Sequence, residues 1–249
     1  MGPALGSLDG VVAAVVGVIT LGIETATAVV SVALAGDAGM LGSVEINKGR
    51  RHAEVLTPAI EFVCRHSQIA MGDIGAIGVD VGPGLFTGMR VGIATAKVMA
   101  QALRIPVVGV CSLDLLAYKL HQGMGTEQPH RVIASVIDAR KSEVFYAFYR
   151  PSADRVQRLT EPRAGSIADF NADLMARGQD VIAVGDGAWR YRDELEGNIE
   201  IAGLAHPSAV PLVFLARSLA LSTDLDAAML DVQPMYLRAP DAEINWVSR

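Results

Sequence analysis

The sequence predicts a duplicated α/β domain, and three observations carry that expectation. Short apolar, β-branched runs alternate with segments whose apolar residues recur at helical spacing. A strand–acid–turn–strand pattern occurs twice, at Ile23-Glu24 with Val29–Leu34 and at Ile137-Asp138 with Val144–Tyr149. The chain has 249 residues, 51% hydrophobic and 19% charged, which suffices for one large domain or two intimate halves of about 100–130 residues each.

In order, Val18–Gly22, Val29–Leu34 and Met40–Ile46 read as an opening three-stranded meander, the last turn being Gly36-Asp37-Ala38-Gly39. Arg51–Ser67 reads as a helix on the spacing of Val55, Leu56, Ala59, Ile60 and Val63. Pro58 is its odd member, since proline is tolerated only near the first turn. Ile74–Val81 is a strand and Phe86–Leu103 a helix rich in glycine and alanine. Pro106–Val110 returns as a strand, and Ser112 caps a helix to about His121. Gly123–His130 is the internal boundary, giving a tail over 1–17 and subdomains 18–122 and 123–249. Arg131–Ile137 and Glu143–Tyr149 then repeat the opening hairpin. Val181–Val184 is a further strand, and Pro207-Ser208-Ala209 opens a last helix to about Leu221.

Formal net charge is -6, from 27 acidic and 21 basic residues, with no block rich in lysine or arginine. A protein that grips an RNA backbone unaided normally presents a basic face, so independent RNA binding is disfavoured. Cys64 and Cys111 stand in no metal or redox spacing and fit buried thiols in a reducing compartment. Val11–Ile23 is nearly unbroken in its apolarity. It lacks the basic flank of a signal peptide and the roughly 20 residues of a membrane span, so a cytoplasmic location is expected.

A glycine loop, Gly82-Pro83-Gly84-Leu85-Phe86-Thr87-Gly88-Met89-Arg90-Val91-Gly92, joins a strand to a helix. It has neither the Gly-Lys-Ser/Thr ending of a Walker A loop nor the spacing of a dinucleotide fingerprint. Two readings stand. The glycines either let backbone approach a phosphate at a helix N-terminus or let the helix pack tightly on its neighbours. On the first reading, nucleotide-site candidates are Glu24, Gly82, Gly84, Asp138, Gly185 and Gly187.

Ile23-Glu24-Thr25-Ala26-Thr27 with Ser31-Val32-Ala33-Leu34, together with the glycine loop, resembles the opening and the G-P-G-S-F-T-G-x-R-x-G segment of the TsaB (YeaZ) family. Ile137-Asp138-Ala139-Arg140, Glu143-Val144-Phe145 and Pro234-Met235-Tyr236-Leu237-Arg238 match further segments of that family in the same order, over about residues 18–240. The resemblance implies the duplicated ASKHA (actin-like ATPase, RNase H-like) fold. It also implies a non-catalytic subunit of the bacterial machinery that places threonylcarbamoyl on adenosine 37 of tRNA. Implied partners are the transferase TsaD, the ATPase TsaE and, without TsaD, a second copy; tRNA is met only through the complex, and no cofactor is implied. There are departures. Glu24 stands for the usual Asp, Leu85 for a frequent Ser, and Asp80 where the family often has Gly.

The related TsaD subunit holds a metal with a His-x-x-x-His pair after a segment resembling Ile105–Val110; here Ser112 and Leu116 stand at those positions. The five histidines contain no i,i+4 pair. An ASKHA phosphotransferase using Glu24 or Asp138, or a TsaD-like metal-dependent transferase or glycoprotease, are the alternative activities. On the second helix Val91, Ala94, Val98 and Ala102 form one apolar stripe, and Met89, Ile93, Ala96 and Ala100 continue round it. A helix apolar on two sides is usually covered twice, once by its own sheet and once by a neighbour. In the TsaB family these helices meet TsaD, which makes Leu56, Ile60, Met89, Ile93 and Lys97 the expected contacts.

Overall fold

A computed structural model describes residues 17–47, 49, 51–123, 131–152, 155–203, 206–222 and 232–238. The tail expected before Gly17 and most of the boundary segment, 124–130, lie outside the described residues.

Strands β1 (Ile19–Glu24), β2 (Val30–Gly36), β3 (Gly39–Ile46), β4 (Ile74–Gly82) and β5 (Val107–Cys111) form one sheet in the order β3-β2-β1-β4-β5. β1 and β2 pair antiparallel, while β4 and β5 join parallel to β1. Helices α1 (His52–His66) and α2 (Phe86–Leu103) supply the parallel crossovers. Both present a buried stripe to the sheet: Leu56, Ala59, Ile60 and Val63 from α1, and Met89, Ile93, Ala96 and Ala100 from α2. These meet Leu21, Ile23, Val32, Ile77 and Val79 in a single core. Pro58 lies beyond the first turn, inside α1 and exposed. Burial of the stripe on either side of it holds the helix together despite the missing N–H.

The second sheet repeats the plan. β6 (Val132–Arg140) and β7 (Glu143–Pro151) form an antiparallel hairpin, and β10 (Val181–Val184) and β11 (Ile199–Ile201) add parallel. β8 (Val156–Arg158) and β9 (Arg163–Ser166) pair with β7 in the place that β3 takes on β2. The sheet order β11-β10-β6-β7-β8 therefore mirrors that of the first sheet. Two sheets of one topology on one chain make this a duplicated ASKHA fold.

β8, β9 and α4 (Ile167–Arg177) lie in a stretch where no element was expected. The signal was present: Ser166 and Asp169 form a reciprocal capping box, Ile167, Phe170 and Leu174 share one face, and Gly178 closes the helix in a left-handed conformation. Phe170 stacks on Phe148 and meets Tyr146 edge-on, so α4 seats the core of the second lobe.

Helix α3 (Ser112–Gly123) follows the first sheet in sequence and lies between the two, packing on β4 and β5 of the first and on β6, β7 and β8 of the second. Helix α6 (Ala209–Ser222), last in the chain, packs across β1, β2, β4 and β5 of the first. Gly22 and Gly78 make that return possible: a Cβ at Gly22 would lie 2.8 Å from Val213, and one at Gly78 would lie 2.6 Å from Ala216. Among the described residues, no helix is long and apolar enough to cross a membrane.

Candidate functional site

The C-terminal ends of β1, β4, β6 and β10 bring the predicted acids and glycine turns to one region between the lobes. Residues 232–238 show how close the two walls are. The Met235 N–H donates to the Val81 carbonyl at the end of β4 (2.7 Å), and Arg238 donates to the Ala139 carbonyl at the end of β6 (2.9 Å). The ends of β4 and β6 thus lie within the span of four residues and one arginine side chain.

Three acids end these strands, and each does the same local work. Glu24 Oε1 accepts from the Ala26 N–H (2.7 Å), Asp80 Oδ1 from the Gly82 N–H (2.7 Å), and Asp138 Oδ1 from the Arg140 N–H (2.9 Å). A carboxylate that accepts from the amide two residues on folds its own turn. Asp138 is further engaged by Arg140 (3.0 Å), by Arg190 (3.6 Å) and by the Tyr191 hydroxyl (3.2 Å). Its own amide donates to Asp186 Oδ1 (3.0 Å), so the short helix α5 (Asp186–Arg190) is latched to the hairpin. Burial pushes the Asp186 carboxyl above the ordinary range.

Glu24 and Asp80 are both fully buried, side by side on neighbouring parallel strands, and among the described residues Glu24 Oε2 and Asp80 Oδ2 have no hydrogen-bond partner. Burial raises the Glu24 carboxyl well above its ordinary range, and the charge of Asp80 adds to the rise. Burial likewise pushes Asp80 up to about 7, against the lowering effect of its bonds from Ser112 and Gly82. Ser112, expected as a helix cap, donates its hydroxyl to Asp80 Oδ1 (2.6 Å). Leu116 lies buried in the core of the second lobe. Ser112 and Leu116 are therefore interior to this chain, and no group of three metal-ligating side chains occurs among the described residues.

The glycine loop wraps the β1–β2 turn. A Cβ on Gly84 would stand 2.1 Å from the Ala26 carbonyl oxygen, and one on Gly88 would stand 2.1 Å from that of Thr25. A Cβ on Gly92 would meet the Thr25 hydroxyl at 2.3 Å. The Leu85 N–H donates to Ala26 O (2.6 Å), Thr25 Oγ1 donates to Gly88 O (2.8 Å), and His52 Nε2 donates to Thr27 O (2.7 Å). In the second lobe an added Cβ would stand 2.1 Å from the Val136 carbonyl oxygen at Gly185 and 2.8 Å from the Ile137 carbonyl carbon at Gly187. Gly84, Gly88, Gly185 and Gly187 thus pack directly on the chain's own backbone, with no room for a side chain. Gly82, with a φ of 100°, and Gly185, with a φ of 120°, also adopt a backbone conformation open to glycine and strained for other residues.

Leu56, Ile60, Met89 and Ile93 require a correction. All four are buried against the chain's own sheet, and Lys97 is half-buried, so they do not form an outward surface. The second helix carries apolar residues on two sides, and periodicity alone does not say which of them the sheet takes. The outward face of α2 carries Arg90, Ala94, Val98 and Ala102, each exposed and four residues apart, with Val98 66% exposed. On α1 the outward side carries Phe62, 46% exposed, its ring tilted against that of His66 with 4.3 Å between centroids.

A separate cavity of about 380 Å³ lies between α3, β7, β8 and α6. Its lining includes the Asp114–Arg158 ion pair, with the Tyr149 hydroxyl donating to Asp114 (2.8 Å).

A family model described as "TsaD: tRNA N6-adenosine threonylcarbamoyltransferase" matches residues 42–246, more than half of the chain. A Mycobacterium leprae relative, named as an uncharacterized protein, is 37% identical over 157 residues, 61% of this chain and 40% of its own length. The Bacillus subtilis "tRNA threonylcarbamoyladenosine biosynthesis protein TsaB" is 25% identical over 234 residues, 91% of this chain and 97% of that one. A crystal structure from Pseudomonas aeruginosa, described as an uncharacterized protein with similarity to peptidase YeaZ, superposes with a TM-score of 0.77. That protein is 26% identical, and the match covers 89% of this chain and 100% of that one. By the ordered motifs, the duplicated fold and these likenesses, the chain belongs to the TsaD threonylcarbamoyltransferase family, as one of its TsaB (YeaZ) type.

Proposed function

We propose that this chain is a non-catalytic subunit in the formation of threonylcarbamoyladenosine in tRNA, and that it docks on a TsaD-type transferase through the outward face of α1 and α2. The observation that carries this reading is the contrast between the two faces of α2. The acids and glycines beside its buried face are engaged in building turns, whereas its outward face leaves Ala94, Val98 and Ala102 open to solvent. Small residues on an exposed helix let a second helix approach closely. Biosynthesis proteins similar to it along nearly all of their length carry the TsaB name, and the family model it fits is that of the transferase itself. The partner on this reading shares the fold of this chain. TsaE as a further partner, a homodimer through the same face when TsaD is absent, indirect contact with tRNA, a cytoplasmic location and a division into subdomains near residues 122–123 complete the proposal.

A nucleotide-dependent phosphotransferase is the competing reading, and the bare oxygens of Glu24 and Asp80 are what favour it. The two readings separate in one reconstitution. With TsaD, TsaE and the adenylate-forming enzyme, tRNA threonylcarbamoylation should depend on this chain, and the chain alone should turn over no nucleotide. Val98→Asp places a charge at the centre of the outward face without disturbing the core. Co-migration with TsaD on size exclusion should be lost and modification should fall by about tenfold or more. Circular dichroism should be unchanged. Wild-type modification by Val98→Asp, or nucleotide turnover by the isolated chain, would sink the docking reading.

A further inference from the structure

Residues 232–238 touch three separate parts of the molecule, and the docking reading by itself does not call for that. Val232 packs in the core of the first lobe, and Met235 N–H bonds the end of β4. Met235 and Leu237 also pack on the core of the second lobe. Arg238 then anchors there twice, on the Ala139 carbonyl and on Glu143 Oε2 (2.8 Å). Between these anchors Tyr236 turns outward, 41% exposed, onto the head of α2. Its ring stacks on Phe86 (5.1 Å between centroids), its hydroxyl accepts from Arg90 Nε (2.7 Å), and the Arg90 guanidinium lies 3.7 Å over the Phe86 ring.

Arg90 is also the first residue of the outward stripe that continues through Ala94 and Val98. Tyrosine, arginine and phenylalanine stacked at the edge of an exposed apolar stripe are the residue types that anchor protein interfaces. We infer that residues 232–238 form a strap that is both part of the docking face, through Tyr236, and the tie that sets the closure of the two lobes, through Met235 and Arg238. The inference rests on the docking reading and deepens it. A partner that grips Tyr236 in this position binds only the arrangement in which the strap spans both lobes. Docking and lobe closure are therefore one coupled equilibrium. The occupant is the fold-related transferase, continuous with the α2 face; a second copy of this chain is the other outcome.

The test uses the full chain and the TsaD-type transferase of the same organism, with affinity read by calorimetry. Tyr236→Ala should weaken docking about tenfold, and Tyr236→Phe, which keeps the ring and loses only the hydroxyl, should weaken it less. Arg238→Ala lies off the docking face, so its effect distinguishes coupling from contact. It should also weaken docking several-fold and speed hydrogen exchange at the ends of β4 and β6, with the thermal midpoint held. A double variant should lose less than the product of the two single losses, because once the strap is released Tyr236 is no longer presented. If Tyr236→Ala and Arg238→Ala bind as wild type while Val98→Asp does not bind, the strap inference is overturned and the docking reading stands. Weakening by Tyr236→Ala alone would overturn the coupling. Wild-type binding by Val98→Asp would remove the docking face and the strap inference with it, and a preference for a second copy over the transferase would overturn the stated occupant.

Discussion

Gly88→Ala should destabilise the protein by on the order of 3 kcal/mol, although alanine is the better helix former. Gly88 lies within α2, where replacing glycine by alanine ordinarily gains about 0.5–1 kcal/mol. Here the added methyl would stand 2.1 Å from the Thr25 carbonyl oxygen, and that oxygen belongs to backbone rather than to a side chain that could swing away. Relief would require moving α2 off the β1–β2 turn, breaking the Thr25 Oγ1 to Gly88 bond and the Leu85 to Ala26 bond. Steric cost and helix propensity predict opposite signs, so a denaturant titration decides between them. A midpoint raised by Gly88→Ala would show that the loop yields freely and that its glycines are not held by packing.

Asp80→Asn should turn a pH-dependent stability into a flatter one. In the unfolded chain Asp80 ionises near its ordinary value of 3.8, whereas in the folded chain burial holds its proton to about pH 7. Between those values the unfolded state releases a proton that the folded state keeps. Stability contributed by the neutral carboxyl is thus whole below about pH 4, declines as pH rises, and is lost once pH passes about 7. Asparagine keeps an oxygen for the Gly82 and Ser112 donors, removes the ionisation and relieves the repulsion that adds to the rise at Glu24. The stability of Asp80→Asn relative to wild type should therefore increase by on the order of 3 kcal/mol from pH 4 to pH 8. Thermal or denaturant unfolding across that range measures it. A difference between the two proteins that stays constant with pH would mean that Asp80 is already ionised in the folded state.

Gly88 lies in the glycine loop and Asp80 just before it, where a motif alone says little about what the loop packs on. Glycines at strand-to-helix turns are equally suited to a phosphate and to a close carbonyl, because each use needs only the missing Cβ. Gly84 and Gly88 meet Ala26 and Thr25, which lie about 60 residues earlier in the chain. Periodicity located α1 and α2 but could not orient them. Leu56, Ile60, Met89 and Ile93 satisfy the same spacing rule as Ala94 and Val98, and only the sheet beneath shows which set is covered. The middle of the second lobe was unread because short edge strands such as β8 carry little periodic signal. The capping box at Ser166 was legible and would have placed α4.

What the sequence determined by itself was the inventory and its duplication. Strand-ending acids at Glu24 and Asp138, alternating strands and helices, and the ordered motifs suffice for the duplicated α/β plan and the family resemblance, because they depend on local periodicity and turn chemistry. Only the tertiary structure decided the seat of α3 between the two sheets, the return of α6 to the first, the outward stripe of α2 and the strap that joins the lobes. Each of those rests on contacts between residues distant in sequence, such as Gly22 with Val213 or Arg90 with Tyr236. Such pairings follow from how separate elements share one core, and a pattern confined to neighbouring residues does not encode them.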